Sequence, residues 1–176
     1  MSDNGLLLHS FTVTHILDCT ADPTKNRAIA TFSDDVSPAF PYLNAVVAHL
    51  TYSPAGNTLT IRRGIRLLII YPRGATLAKV DGLADVEAQL RWFQETCNDV
   101  WRRRAEITPC HERRVSMGFL AVYRLLPGLN CGACQEATCL AFARGLVQGE
   151  RWLDECPLMA APEHAEARLL LAEFTG

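Results

Sequence analysis

The sequence predicts an α+β fold: a small antiparallel sheet with packed helices, followed by a small helical domain rich in cysteine. Three observations carry this expectation. Short apolar segments of period two, punctuated by turns, fill the chain up to Val80. From Asp85 the apolar period lengthens to that of a helix. Four of the seven cysteines then fall between Cys131 and Cys156.

In "LLLHSFTVTHIL" (6–17), Phe11, Val13, His15 and Leu17 alternate as in a half-buried strand, and "RAIATF" (27–32) repeats the pattern after the turn-rich "DPTKN". Pro38 and Pro41 suit a helix entrance, where a missing N–H costs nothing. Leu43, Val46, Val47 and Leu50 follow at helical spacing, predicting a helix over 41–50. After the turn "SPAGN", the segments "TLTIRR", "IRLLIIYP" and the weaker "ATLAKV" read as strands. Their connections are too short for crossover helices, so the strands are expected to be antiparallel. A long helix from Asp85 places Val86, Leu90, Phe93, Cys97, Val100 and Trp101 on one face. It ends in Arg102, Arg103 and Arg104, cations suited to the negative end of a helix dipole. These elements make an α+β body over 1–107. A second domain over 108–160 opens with the stripe Phe119, Val122, Tyr123 and Leu126, stopped by Pro127–Gly128, and a closing helix occupies 161–176.

Composition narrows the function. The chain of 176 residues is 49% hydrophobic, enough for a sizeable core. A net charge of −2 lacks the cationic surplus that phosphate binding needs, so no nucleic acid is expected. "MSDNGLLLHSF" has neither the basic nor the long apolar region of an export signal, and "IRLLIIY" is too short to span a bilayer. A cytoplasmic protein without membrane insertion is expected. In that reducing compartment structural disulfides are rare, and clustered thiols point to metal binding or redox chemistry. "RRGIR" and "YPRGA" lack the spacing of a phosphate-binding loop. His9, His15 and His49 read as structural, and Cys97 reads as a small core residue on its helix stripe.

The cysteines follow the pattern C-x2-C-x4-C-x16-C, with Pro157 after the last. Three close together and a remote fourth before a proline is the general form of cubane ferredoxin ligation. Structural zinc more often takes two compact CxxC pairs. The spacing therefore favours one [4Fe–4S] cluster over zinc, with zinc or another cluster type as alternatives. "ATCLAFARGLVQGE" reads as a helix closed by Gly149, with Cys139, Phe142, Ala143 and Leu146 facing inward. Apolar atoms on that face would limit water at the centre. The helix start offers amides to an anionic group.

The stretch "LPGLNCGACQEATCLAFARGLVQGERWLDECPLM" (126–159) resembles a known domain. It is similar to the small four-cysteine iron–sulfur domain of the large subunit of the corrinoid iron–sulfur protein and of the B subunit of Rnf-type electron-transport complexes. The shared elements are "LPG.NCG.C", "TC.AFA", the "GE" after the helix and the final "CP". The resemblance covers about a fifth of the chain. It implies that Cys131, Cys134, Cys139 and Cys156 bind a cluster that passes single electrons to or from a redox partner protein or metalloenzyme, such as a corrinoid protein undergoing reductive activation. In relatives a glycine commonly follows the second cysteine, where this chain has Gln135. The corrinoid-binding barrel of the first relative and the eight-cysteine ferredoxin region of the second are not in this sequence. "PYLNAV" and "NDVWRRRAEITPC" look similar to stand-alone prokaryotic iron–sulfur proteins of unassigned role.

The expected function is thus that of an electron carrier or accessory protein rather than an enzyme. The alternative is an interaction, sensory or maturation protein whose cluster is structural or delivered to a client. Arg102–Arg104 with Arg113 and Arg114 read as a solvated helix end or as a docking patch for an acidic partner. Cys19, Cys110 and His111 come from unrelated segments and form no motif.

Overall fold

In the computed structural model, which describes residues 5–20, 22–113 and 117–175 (side chains only to 172), six strands form one sheet. They are β1 (Phe11–Asp18), β2 (Asn26–Phe32), β3 (Leu50–Ser53), β4 (Thr58–Arg63), β5 (Arg66–Tyr71) and β6 (Gly74–Val80), in the order β1-β2-β6-β5-β4-β3. The sheet is antiparallel and the fold is α+β, as the sequence predicts. Ala28 pairs with Leu77 and Ala30 with Ala75 across β2 and β6, while Leu68 and Ile70 of β5 meet the same two β6 residues from the other side. All six are buried, so alternation puts one sheet face into the core.

Helix α1 (Phe40–Val46) adds Phe40 and Leu43 to that core, and α2 (Gly82–Arg102) adds Val86, Leu90, Phe93, Cys97 and Val100. Phe93 stacks on Phe32 of β2 with ring centroids 5.7 Å apart. The buried residues of α2 include two polar ones, Gln89 and, against the amino-terminal segment, Asn98. Its Oδ1 accepts from the N–H groups of Leu7 and Leu8 at 2.9 Å, and its Nδ2 donates to the Leu8 carbonyl at 2.8 Å. A buried amide with these bonds satisfied fastens the amino-terminal segment to the helix.

The local expectations need three corrections. The helix expected over 41–50 stops at Val46 because His49 turns the chain with φ +53°, and Leu50 begins β3 opposite Ile61. Leu50 is buried in either conformation, which is why its spacing misled. In β1 the register shifts between Val13 and His15, so the alternation breaks and His15 and Leu17 are exposed. Helix α2 starts at Gly82 rather than Asp85. The Asp85 carboxylate reaches back to accept from the Asp81 N–H (2.9 Å) and is held by Arg66 Nε (2.8 Å).

The chain divides into two compact units, one of Met1–Ile61 with Arg66–Arg114 and the other of Arg62–Ile65 with Val115–Gly176. The second unit contains α3 (Phe119–Leu125), α4 (Cys139–Gln148) and α5 (Ala165–Thr175), with short 3-10 turns at Leu153–Glu155, Pro157–Ala160 and Pro162–His164. Its core gathers Val122, Phe142, Leu146, Met159 and Leu171 around Cys134, Cys139 and Cys156. Among the described residues no helix is long and apolar enough to cross a membrane.

Candidate metal centre

Cys139 is the first residue of α4 because Thr138 caps the helix: extended itself, it accepts the Ala141 N–H on its side-chain oxygen at 3.1 Å. At the other end Gly149 takes the left-handed conformation (φ +71°) expected of a helix-closing glycine. Cys139, Phe142, Ala143 and Leu146 are buried along one face, as their spacing predicts.

The loop before the helix is built from left-handed turns at Gly128, Asn130, Gly132 and Gln135, with φ of +72°, +49°, +73° and +64°. Gln135 donates its N–H to the Gly132 carbonyl at 3.0 Å. This left-handed conformation strains a side chain and is the kind of position that glycine fills at no steric cost. Asn130 has a second task that the sequence reading missed. Its Oδ1 accepts the Cys139 N–H at 2.8 Å, tying the start of the loop to the helix. Asparagine tolerates a left-handed turn and can accept from an orphan helix amide, but Asn130 lies nine residues before Cys139, so no local spacing marks the pair. Two amides of the first turn of α4, those of Cys139 and Ala141, are taken by Asn130 and Thr138, so these two are not offered to an anionic group as the sequence predicts.

After Gly149 the chain returns through Leu153–Glu155 to Cys156. Burial pushes the Cys156 thiol up, the backbone amides of Met159 and Leu158 pull it down, and Cys134 and Cys139 push it up again. Those interactions put Cys134 and Cys139 within electrostatic reach of Cys156. The three are 6%, 7% and 6% exposed, whereas Cys131 faces solvent.

All four cysteines line one hollow, together with Leu126, Pro127, Phe142 and Leu158. It holds about 300 Å³ of space between atoms, its open mouth included. Among the described residues no three His, Cys, Asp or Glu side chains are gathered to hold a single metal ion. Zinc, with Zn–S bonds of about 2.3 Å, draws its thiolates to one point. Cubane irons are separate, and each takes its own thiolate. Four thiols around one narrow, largely apolar hollow suit such a cluster.

The remaining candidates behave as structural groups. Cys97 is fully buried and its thiol is pushed up to about 12 by burial, so it is a core residue. Cys110 donates its N–H to the Pro41 carbonyl and accepts Asn44 Nδ2 on its own, at 2.9 and 2.8 Å. Cys19, Cys110 and His111 form no metal site among the described residues. His9 pairs with Asp34 and His15 contacts Thr14, each at 3.0 Å, while burial lowers the pKa of His49. At the end of α2, Arg103 binds the Asp99 carboxylate at 2.6 Å and Arg104 lies 4.4 Å over the Trp101 ring. Arg102 Nε donates to the Asn98 carbonyl at 3.3 Å. These bonds favour the helix-end reading of the arginines; Arg114 lies outside the described residues.

Residues 126–158 match the model of the family described as "Putative Fe-S cluster". The chain is 51% identical over 51 residues to the acetyl-CoA decarbonylase/synthase complex subunit gamma of Methanothermobacter thermautotrophicus, covering 29% of this chain and 11% of that protein. It is 49% identical over 41 residues to the corrinoid/iron-sulfur protein large subunit of Moorella thermoacetica, covering 23% and 9%. The gamma subunit of Methanopyrus kandleri is 43% identical over 51 residues, covering 29% and 11%. The chain thus spans about a tenth of the length of the curated relatives it matches. No solved structure matches it. The cysteine-rich segment is therefore an iron–sulfur cluster domain of the family it shares with the corrinoid/iron-sulfur protein large subunit and the acetyl-CoA decarbonylase/synthase gamma subunits.

Proposed function

We propose that Cys131, Cys134, Cys139 and Cys156 ligate one [4Fe–4S] cluster and that the protein passes single electrons to or from a protein partner. The observation that carries this reading is the meeting of all four family-motif thiols around one hollow whose other walls include Leu126, Pro127, Phe142 and Leu158. When bound, the cluster supplies a one-electron couple. The chain's own residues fix and shield it: Asn130 and Thr138 hold the loop and helix start, Phe142, Leu126 and Leu158 limit water, and the Met159 and Leu158 amides favour the Cys156 thiolate. Cys131, the exposed member, forms the edge nearest a docking partner. With four thiolates as ligands no iron is left open for substrate, so transfer is outer-sphere.

The relatives' names, a corrinoid/iron-sulfur protein subunit and a subunit of an acetyl-CoA decarbonylase/synthase complex, support a partner of the corrinoid-protein or metalloenzyme kind, and the thiol-rich sequence supports a reducing cytoplasm as the place where they meet. A second reading makes the cluster structural or a cargo. It is favoured by the presence of three of the four cysteines in the domain's core. Anaerobic electrochemical titration separates the two. A reversible one-electron wave at low potential is the expected result, and a cluster that is redox-silent or readily surrendered to an acceptor protein would replace the first reading by the second.

A further inference from the structure

We propose that Arg151 is the positioning residue of this centre, clasping the loop between Cys134 and Cys139 to the segment that returns with Cys156 and setting the charge beside the cluster. The inference rests on the cluster reading above. Arg151 Nε and Nη2 donate to Glu136 Oε1 at 2.8 and 2.6 Å, and Nη1 reaches Glu155 Oε2 at 3.3 Å. Glu136 lines the hollow and lies between the second and third cysteines, while Glu155 directly precedes the fourth. One guanidinium thus joins the two ligand-bearing segments across α4. Its fork geometry suits this task, and a lysine cannot reproduce it.

The helix makes room for the clasp. A Cβ on Gly145 would lie 2.5 Å from Arg151 Cγ and 3.2 Å from its Cβ, so the bare backbone of Gly145 is the surface that Arg151 crosses. The Glu150 N–H also donates to the Gly145 carbonyl at 2.9 Å, fixing the turn from which Arg151 departs. The Arg151 side chain is 28% exposed, which limits solvent screening of its charge.

Charge gives the clasp a second effect. An added electron makes the cluster more negative, so a nearby cation favours the reduced form and a nearby carboxylate opposes it. Arg151 and Glu136 should therefore move the reduction potential in opposite directions, although losing either one opens the same clasp. A merely structural pair would not show that opposition.

The test uses the full chain purified anaerobically with its cluster, an electrode to supply the electron, and a ferrous-iron chelator to time iron loss. Arg151→Gln is expected to lower the midpoint potential and speed iron loss several-fold. Glu136→Gln is expected to raise the potential and also speed iron loss. Arg151→Lys keeps the charge without the fork, so its potential should stay near that of the unsubstituted protein while iron leaves faster. Gly145→Ala changes no charge and should still speed iron loss by displacing Arg151. Should Arg151→Gln hold no cluster at all, Arg151→Lys and Gly145→Ala carry the test. Iron loss at the unsubstituted rate in these variants, or potentials that do not move in opposite directions, would overturn the proposal. An unsubstituted protein without iron and sulfide would instead refute the cluster reading itself.

Discussion

Cys97 and Cys139 both lie on the buried stripe of a helix, yet their surroundings differ. Cys97 sits among Leu90, Phe93 and Val100 in the core of the sheet-bearing unit, with its thiol pushed up to about 12 and no second cysteine near it in that helix. Cys139 occupies the first turn of α4, its amide held by Asn130, and shares a hollow with three more thiols. The first is a small apolar filler and the second, on the proposed function, a cluster ligand. An apolar helical face does not separate them; position at a helix start facing other thiols does. The two units differ in the same way. The first core is built, Cys97 apart, mainly from aliphatic and aromatic side chains on a sheet and its helices, whereas cysteines supply three of the eleven core residues of the second among the described residues. A core of that kind gains its cohesion from what the thiolates bind.

The largest expected effect breaks this contrast or confirms it. Cys139→Ala should lose iron and sulfide completely, while Cys97→Ala should keep both and lose about 1 kcal/mol of stability in denaturant unfolding. Equal cluster loss in the two variants would mean that the ligand set is misassigned. Next in size is the response to cluster removal by a chelator under oxidant. Hydrogen exchange should rise across 117–172 while the amides of α2 and the central strands stay protected; a uniform rise would contradict two cores of different origin.

A smaller effect sharpens the reading of the ligand loop. Gln135→Gly relieves a left-handed residue, a strain of about 1 kcal/mol, partly offset by the greater freedom of glycine in the unfolded chain. A net gain of a few tenths of a kcal/mol is expected in the cluster-loaded protein, and a loss would show that the Gln135 side chain contributes to the site. The smallest effect belongs to the first unit. Asp34 is held down to about 2, first by the Ser33 hydroxyl and then by the His9 amide and ring. Its folded value is depressed, so its stabilisation is complete above the unfolded carboxyl value and fades as pH falls through about 2. Asp34→Asn should flatten the acid limb of the stability profile below pH about 4 and leave cluster content unchanged.

The legible part of this molecule was the part in which one pattern serves one structure. The stripe from Val86 to Val100 can only bury as a helix, and the alternation in "RAIATF" can only bury as a strand. Leu50 satisfies two patterns at once, so the sequence reading runs the helix through the turn at His49 to the first residue of β3 and leaves the rest of that strand unassigned. The bulge after Val13 was hidden because register is a property of the partner strand, not of β1. In the cysteine segment, spacing carried the helix, its Gly149 closure and the inward face. Asn130, Arg151 and Gly145 escaped because their partners lie across the loop and the return, where spacing along the chain has no signature.

The most direct measurement is the iron, sulfide and zinc content of protein purified without oxygen, with an EPR spectrum before and after reduction. The account predicts about four irons and four sulfides per chain with a signal that appears on one-electron reduction. One zinc per chain and no sulfide would contradict it.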